Sequence, residues 1–194
     1  MGIRFRSLAL AAIAAIFTLL LGTIAYSQTS APSTDGTPPL LINASQSVDV
    51  TRPNATAYSL WTGGTNLRHE VWFRVLGGDA LYQQRLRVYK EQAPPRPINE
   101  LPPESNRVLE RLGNSPSPWY RLGFESEFFT YYFDGDYQYA NTAPWDDSFG
   151  VRVIKTVYEN GDLYDIRFED QDQLDDYNDL EIEVVMIRGQ RIPF

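Results

Sequence analysis

The chain is expected to be all-β, an antiparallel β-sandwich with one short helix, and three observations lead there. Apolar and polar residues alternate in several runs, and those runs are separated by clusters of Gly, Asn and Asp. Aromatic residues make up 13% of the chain, enough to supply the inner faces of sheets. There is no cysteine, so a core, a bound metal, or both must hold the fold without disulfides.

The chain opens on a stretch that does not belong to that fold. Arg4 and Arg6 precede an apolar run from Leu8 to Leu21, and Ala25-Tyr26-Ser27 closes it as a small-x-small cleavage site. Residues 1–27 therefore read as an export signal, and the protein is expected to be secreted from a bacterial cell, periplasmic or extracellular. Extended to Ile24, the apolar run approaches spanning length, so an uncleaved anchor is the competing reading. Lipid attachment through cysteine is excluded by composition. Residues 28–43, rich in Ser, Thr, Pro and Gly, read as a flexible linker, and 44–194 as one β-sandwich domain. Without the first 27 residues the chain carries 15 basic against 25 acidic side chains, a net charge of −10. That sign argues against nucleic acid and anionic membrane surfaces as partners.

In the domain, Ser47 to Val50 alternates and Ala57 to Trp61 runs into a turn at Gly63-Gly64-Thr65-Asn66. Asn43-Ala44-Ser45 and Asn54-Ala55-Thr56 match the glycosylation acceptor pattern, a match of low specificity. Leu67, His69, Val71, Phe73 and Val75 share one strand face, with Arg68, Glu70, Trp72 and Arg74 on the other. His69, the single histidine, is expected to be a core residue. Gly77-Gly78-Asp79 is expected to close a hairpin onto a return strand from Leu81 to Tyr89. Five prolines between Glu91 and Pro103 make that span irregular. Ser105 to Leu112, with Ser105 as cap, Val108, Leu109 and Leu112 as stripe and Gly113 as stop, reads as the short helix.

From Glu125 to Tyr139 the chain is dense in aromatics, and Phe129, Tyr131 and Phe133 share a face as core. Tyr139 and Trp145 are the candidates for exposure, where they would stack on sugar rings. Asp134-Gly135-Asp136 and Asp146-Asp147 read as acidic turns. Asn160-Gly161 is a hairpin turn between a strand from Gly150 and one from Leu163 to Phe168. Leu180, Ile182, Val184 and Met186 then alternate with Glu181 and Glu183 as a closing strand.

The functional signal lies before that strand. Between Glu159 and Glu183 stand eleven carboxylates and one basic residue, Arg167. Such crowding either stays solvated or is drawn together by a hard cation such as Ca²⁺, which takes six to eight oxygens. The candidate ligands are Asp170, Asp172, Asp176, Asn178 and Asp179, with Glu169 and Asp175 as additional candidates. The helix-flanked calcium loop does not fit, because Leu174 and Asp175 fall where it needs a ligand and a glycine, and the flanks alternate as strands. The competing reading is an acidic turn whose side chains cap backbone donors.

Phe168-Glu169-Asp170 followed by Asp176-Tyr177-Asn178-Asp179-Leu180 resembles the C-terminal signature of a domain family of unknown function in exported bacterial proteins. The likeness covers about the last quarter of the chain. It implies a calcium-associated β-sandwich in which Glu169, Asp170, Asp176, Asn178 and Asp179 are the carried-over residues. Leu174 departs from the pattern, which often has an acid two positions before Asp176.

No nucleophile elbow, phosphate loop, dinucleotide fingerprint or zinc pattern occurs, so a non-catalytic module is expected. Its expected role is binding or surface assembly, with polysaccharide or another surface protein as partner. The alternatives are a carbohydrate-binding module using Trp145 and Tyr139, and a hydrolase of extracellular polymers using an unassigned carboxylate pair.

Overall fold

A computed structural model describes residues 32, 34, 36–62, 68–125, 127–172 and 176–189. The segment read as an export signal, the 63–66 turn, Leu67, Leu174 and Asp175 lie outside these.

The described residues form eleven strands: β1 (Ala44–Pro53), β2 (Ala57–Trp61), β3 (His69–Gly77), β4 (Gln83–Glu91), β5 (Arg107–Leu112), β6 (Tyr120–Glu125), β7 (Thr130–Gln138), β8 (Asp146–Asp147), β9 (Gly150–Tyr158), β10 (Gly161–Glu169) and β11 (Leu180–Arg188). They make two antiparallel sheets. The first runs β1-β9-β10-β11-β3-β6, and the second β2-β7-β4-β5 with β8 added along β7. The all-β, antiparallel class expected from the alternating runs is the class observed.

The core follows from period two. Val71, Phe73 and Val75 from β3, Ile166 and Phe168 from β10, and Leu180, Ile182 and Val184 from β11 face inward from the first sheet. Leu60, Leu86, Val88, Tyr131 and Phe133 meet them from the second. Phe73 and Phe133 touch edge to face across the interface, ring centroids 5.7 Å apart. His69 is buried at the start of β3, as its position on the apolar face predicts.

Three expectations are corrected. The helix placed at Ser105–Leu112 is a single 3-10 turn at Glu104–Asn106, and Arg107–Leu112 is strand β5 on the edge of the second sheet. Its Val-Leu-x-x-Leu spacing suits either structure, and pairing with β4 decides it. The hairpin expected at Gly77-Gly78-Asp79 is instead a passage between sheets, since β3 and β4 lie in different ones. The return strand begins at Gln83, leaving Leu81 exposed. Asp134-Gly135-Asp136 is no turn but the interior of β7, and Asp146–Asp147 is β8 beside it. Beside these, the last residues of the segment read as a linker make contacts with the sandwich. The Ile42 carbonyl accepts from the Glu159 backbone N–H at 3.0 Å, and Leu41 packs against a small outer cluster of Trp72, Val185 and Ile187.

The β9–β10 hairpin forms where the sequence places it, with Gly161 opening the return strand. A Cβ on Gly161 would stand 2.4 Å from the Met186 carbonyl oxygen, so this glycine serves the close approach of β11.

Candidate metal centre

Three chain segments converge at one end of the sandwich. The last pair of the β10–β11 ladder is Phe168 with Leu180, so Glu169 and Asp170 leave one strand as Asp179 enters the other. The β3–β4 passage presses on them, with the Asp79 N–H donating to the Asn178 carbonyl at 2.8 Å. A Cβ on Gly78 would lie 2.0 Å from the Asp179 carbonyl oxygen, so only glycine fits there. The third segment leads into β9, where the Phe149 N–H donates to the Glu169 carbonyl at 2.9 Å.

Glu169, Asp170 and Asp179 are thereby held with one carboxylate oxygen of each within 4.8 Å of the others. They are 2%, 1% and 3% exposed. The Asp170 N–H donates to Asp179 Oδ2 at 2.6 Å, and the Tyr177 and Gln171 N–H groups donate to the two Glu169 oxygens at 3.1 and 3.2 Å. Tyr177 takes a left-handed conformation, φ 50°, which a bulky residue adopts only under constraint. Gln84 Nε2 donates to Asp170 Oδ2 at 2.7 Å, while the buried Asp170 Oδ1 has no hydrogen-bond partner among the described residues. Among the described residues no Lys or Arg forms an ion pair with any of the three.

Three buried carboxylates without a countercharge cannot all be ionised cheaply. Burial pushes the Glu169 carboxyl up to about 7, helped by the adjacent Asp179, against the pull of the two backbone donors. Burial also raises Asp170, as does the charge of Glu169. Asp179 is raised by burial first and then by Asp170 and Asp176. Two things can relieve such a cluster: a shared proton, or a hard cation that takes up the free Asp170 oxygen.

Of the residues singled out from the sequence, Asp170 and Asp179 meet here, together with Glu169, an additional candidate on its residues and a carried-over one by the resemblance. Asp172 and Asp176 are exposed. Asn178 is half-buried, and it is its backbone carbonyl that is engaged, by Asp79. Tyr139 is 63% exposed, whereas the Trp145 ring is covered by the Arg85 guanidinium, 4.5 Å from its centroid.

A second acidic group was not foreseen as a cluster. Asp134, Asp136 and Asp147 approach one another on the outer side of the second sheet. Phe168 presses its ring on Gly135, where a Cβ would be 2.5 Å away, and the flanking aspartates point the opposite way. Here countercharge is built in. Arg87 lies 2.6 Å from Asp134 and 2.7 Å from Asp136, and Arg85 lies 2.8 Å from Asp136. The alternating Arg85-Leu-Arg87 of β4 opposite Asp134-Gly-Asp136 of β7 is the cross-strand signal that would have found it. The two acidic groups thus differ: Arg85 and Arg87 pair with two aspartates of the second, where burial still pushes Asp134 up to about 8, and among the described residues no arginine or lysine pairs with the first.

Fold and site together define a class, an antiparallel two-sheet β-sandwich with an uncompensated carboxylate cluster at one end. Comparison of the chain with family models, with curated proteins and with solved structures finds no match in any of the three.

Proposed function

We propose that this is a non-catalytic, exported β-sandwich module in which a calcium ion, held by Glu169, Asp170 and Asp179, ties the β10–β11 connection to the end of the sandwich. The observation that carries the reading is the Asp170 side chain, 1% exposed, with one oxygen that among the described residues has no donor, inside a group of acids that no described basic residue pairs with. Asp176, whose charge already acts on Asp179, is the described carboxylate best placed to join them. The role of the ion is structural, because these side chains are too enclosed for a polymer to reach. Export rests on the Arg4, Arg6 and Leu8–Leu21 pattern closed by Ala25-Tyr26-Ser27. The module serves binding or surface assembly. A carbohydrate-binding role through Tyr139 is the weaker alternative, since Arg85 already occupies a face of Trp145, the second aromatic that role would use.

Extracellular calcium modules bind with Kd on the order of 10⁻⁴ to 10⁻³ M. Calcium at ten times Kd then stabilises by about 1.4 kcal/mol, which raises the melting midpoint of a domain this size by roughly 3–6 °C. Melting in calcium and in EGTA measures that rise. Asp170→Asn should abolish it while leaving the EGTA midpoint unchanged or higher, because the substitution removes a buried charge. A midpoint indifferent to calcium would sink the reading.

A further inference from the structure

The four strands at the ends of the two sheets are not protected alike. β6 is interrupted by a register shift opposite Val71 and Trp72, and β5 is six residues long, lies near prolines and carries Arg107, Glu110 and Arg111. β2 has five residues. Irregularity, charge and shortness are the devices by which sheet edges avoid pairing with other chains. β1 has little of this. It is ten residues long, exposed throughout, and regular from Gln46 to Pro53, and among the described residues nothing pairs with its second edge.

Its inner face is also unfinished. Val48 and Val50 are each 42% exposed. With Ala57 and Tyr58 of β2 and Val151 and Val153 of β9 they line a groove of about 190 Å³ between the two sheets, to which Arg52 and Lys155 also contribute. A free row of backbone donors and acceptors therefore lies beside an open, mainly apolar groove, the combination that strand addition uses.

We propose that the strand added is β1 of a second copy, paired antiparallel about Val50. The sequence Ser47-Val-Asp-Val-Thr-Arg-Pro53 is compatible with itself in that register. Val50 faces Val50, Val48 faces the aliphatic stem of Arg52, Asp49 faces Thr51, and Ser47 faces Pro53. A pairing centred on Asp49 instead sets two carboxylates opposite each other, which is disfavoured. Directly opposed residues point to the same side of a sheet, so the partner's Val48 and Val50 arrive over the groove and extend its apolar wall. Asp49 stays on the outer side, bound to Arg152 at 2.6 Å, and does not obstruct the pairing. The net charge of −8 on each copy opposes association at long range, so the dimer strengthens as salt screens it.

The test is sedimentation equilibrium of the purified chain over a range of concentration and salt. Dimer should form and should increase with salt, and Val50→Lys should raise its Kd by about tenfold or more with the melting midpoint little changed. The absence of cysteine allows a second check. In an antiparallel pair opposed Cα atoms stand about 4.5–5.5 Å apart, within disulfide reach, so Val50→Cys should cross-link to a covalent dimer under mild oxidation. A chain that stays monomeric at the highest concentration and salt overturns the proposal. So does a dimer that Val50→Lys leaves intact and Val50→Cys does not cross-link.

Discussion

Glu169 shows how one side chain takes its chemistry from its position. Ending β10, it is buried at the sandwich end, where Asp179 shares its space and the backbone N–H groups of Gln171 and Tyr177 donate to it. Its folded pKa of about 7 exceeds the ordinary value of 4.5, so the folded chain keeps a proton that the unfolded chain releases. The stability this proton contributes is complete below about 4.5 and is lost as pH rises through about 7. In EGTA, the wild type should lose stability over that window relative to Glu169→Gln. Urea denaturation of both proteins at stepped pH measures it, and parallel curves would remove Glu169 from the account. The sequence made Asp170 and Asp179 legible, because a run of acids with one arginine has no local neutralisation. It left Glu169 in second place, because period two does not say which way the residue closing a strand will turn.

At the scale of elements, β7 departs most from its sequence signal. Asp-Gly-Asp is turn composition, and in isolation it would favour a turn. It is strand here because Arg85 and Arg87 of the adjacent β4 pair with both aspartates and because Phe168 requires a residue without a Cβ at Gly135. That makes Gly135→Ala a sharp probe. The added methyl meets a ring that is 1% exposed, so overpacking should cost about 1–3 kcal/mol. Chemical denaturation gives the number, and a neutral substitution would show that the ring has room to move. The same logic explains the strand at β5, since spacing that suits a helix yields to a partner strand already in place. By contrast the β9–β10 hairpin, set by contiguous residues, was readable from the sequence alone. Local signals predicted local structure well and sheet membership poorly, as the separation of β3 from β4 into different sheets illustrates.

At the scale of the whole molecule, the first sheet is assembled from both ends of the chain. Ala44 of β1 lies opposite Tyr158 of β9, and His69 of β3 opposite Arg188 of β11. Such pairings carry a high loop-closure cost before any contact offsets it. Refolding is therefore expected in the range of roughly milliseconds to seconds, as for other sandwiches of high contact order. Stopped-flow tryptophan fluorescence would record it, and a microsecond phase carrying the whole amplitude would contradict this topology. A chain that emerges N-terminus first, from a ribosome or through a pore, must hold one edge of β3 unpaired until a strand near the far end of the sequence appears. The acidic connection ahead of β11 thus sits at the point in the chain where waiting ends, and any ion it takes up would act on the final closure of the sheet.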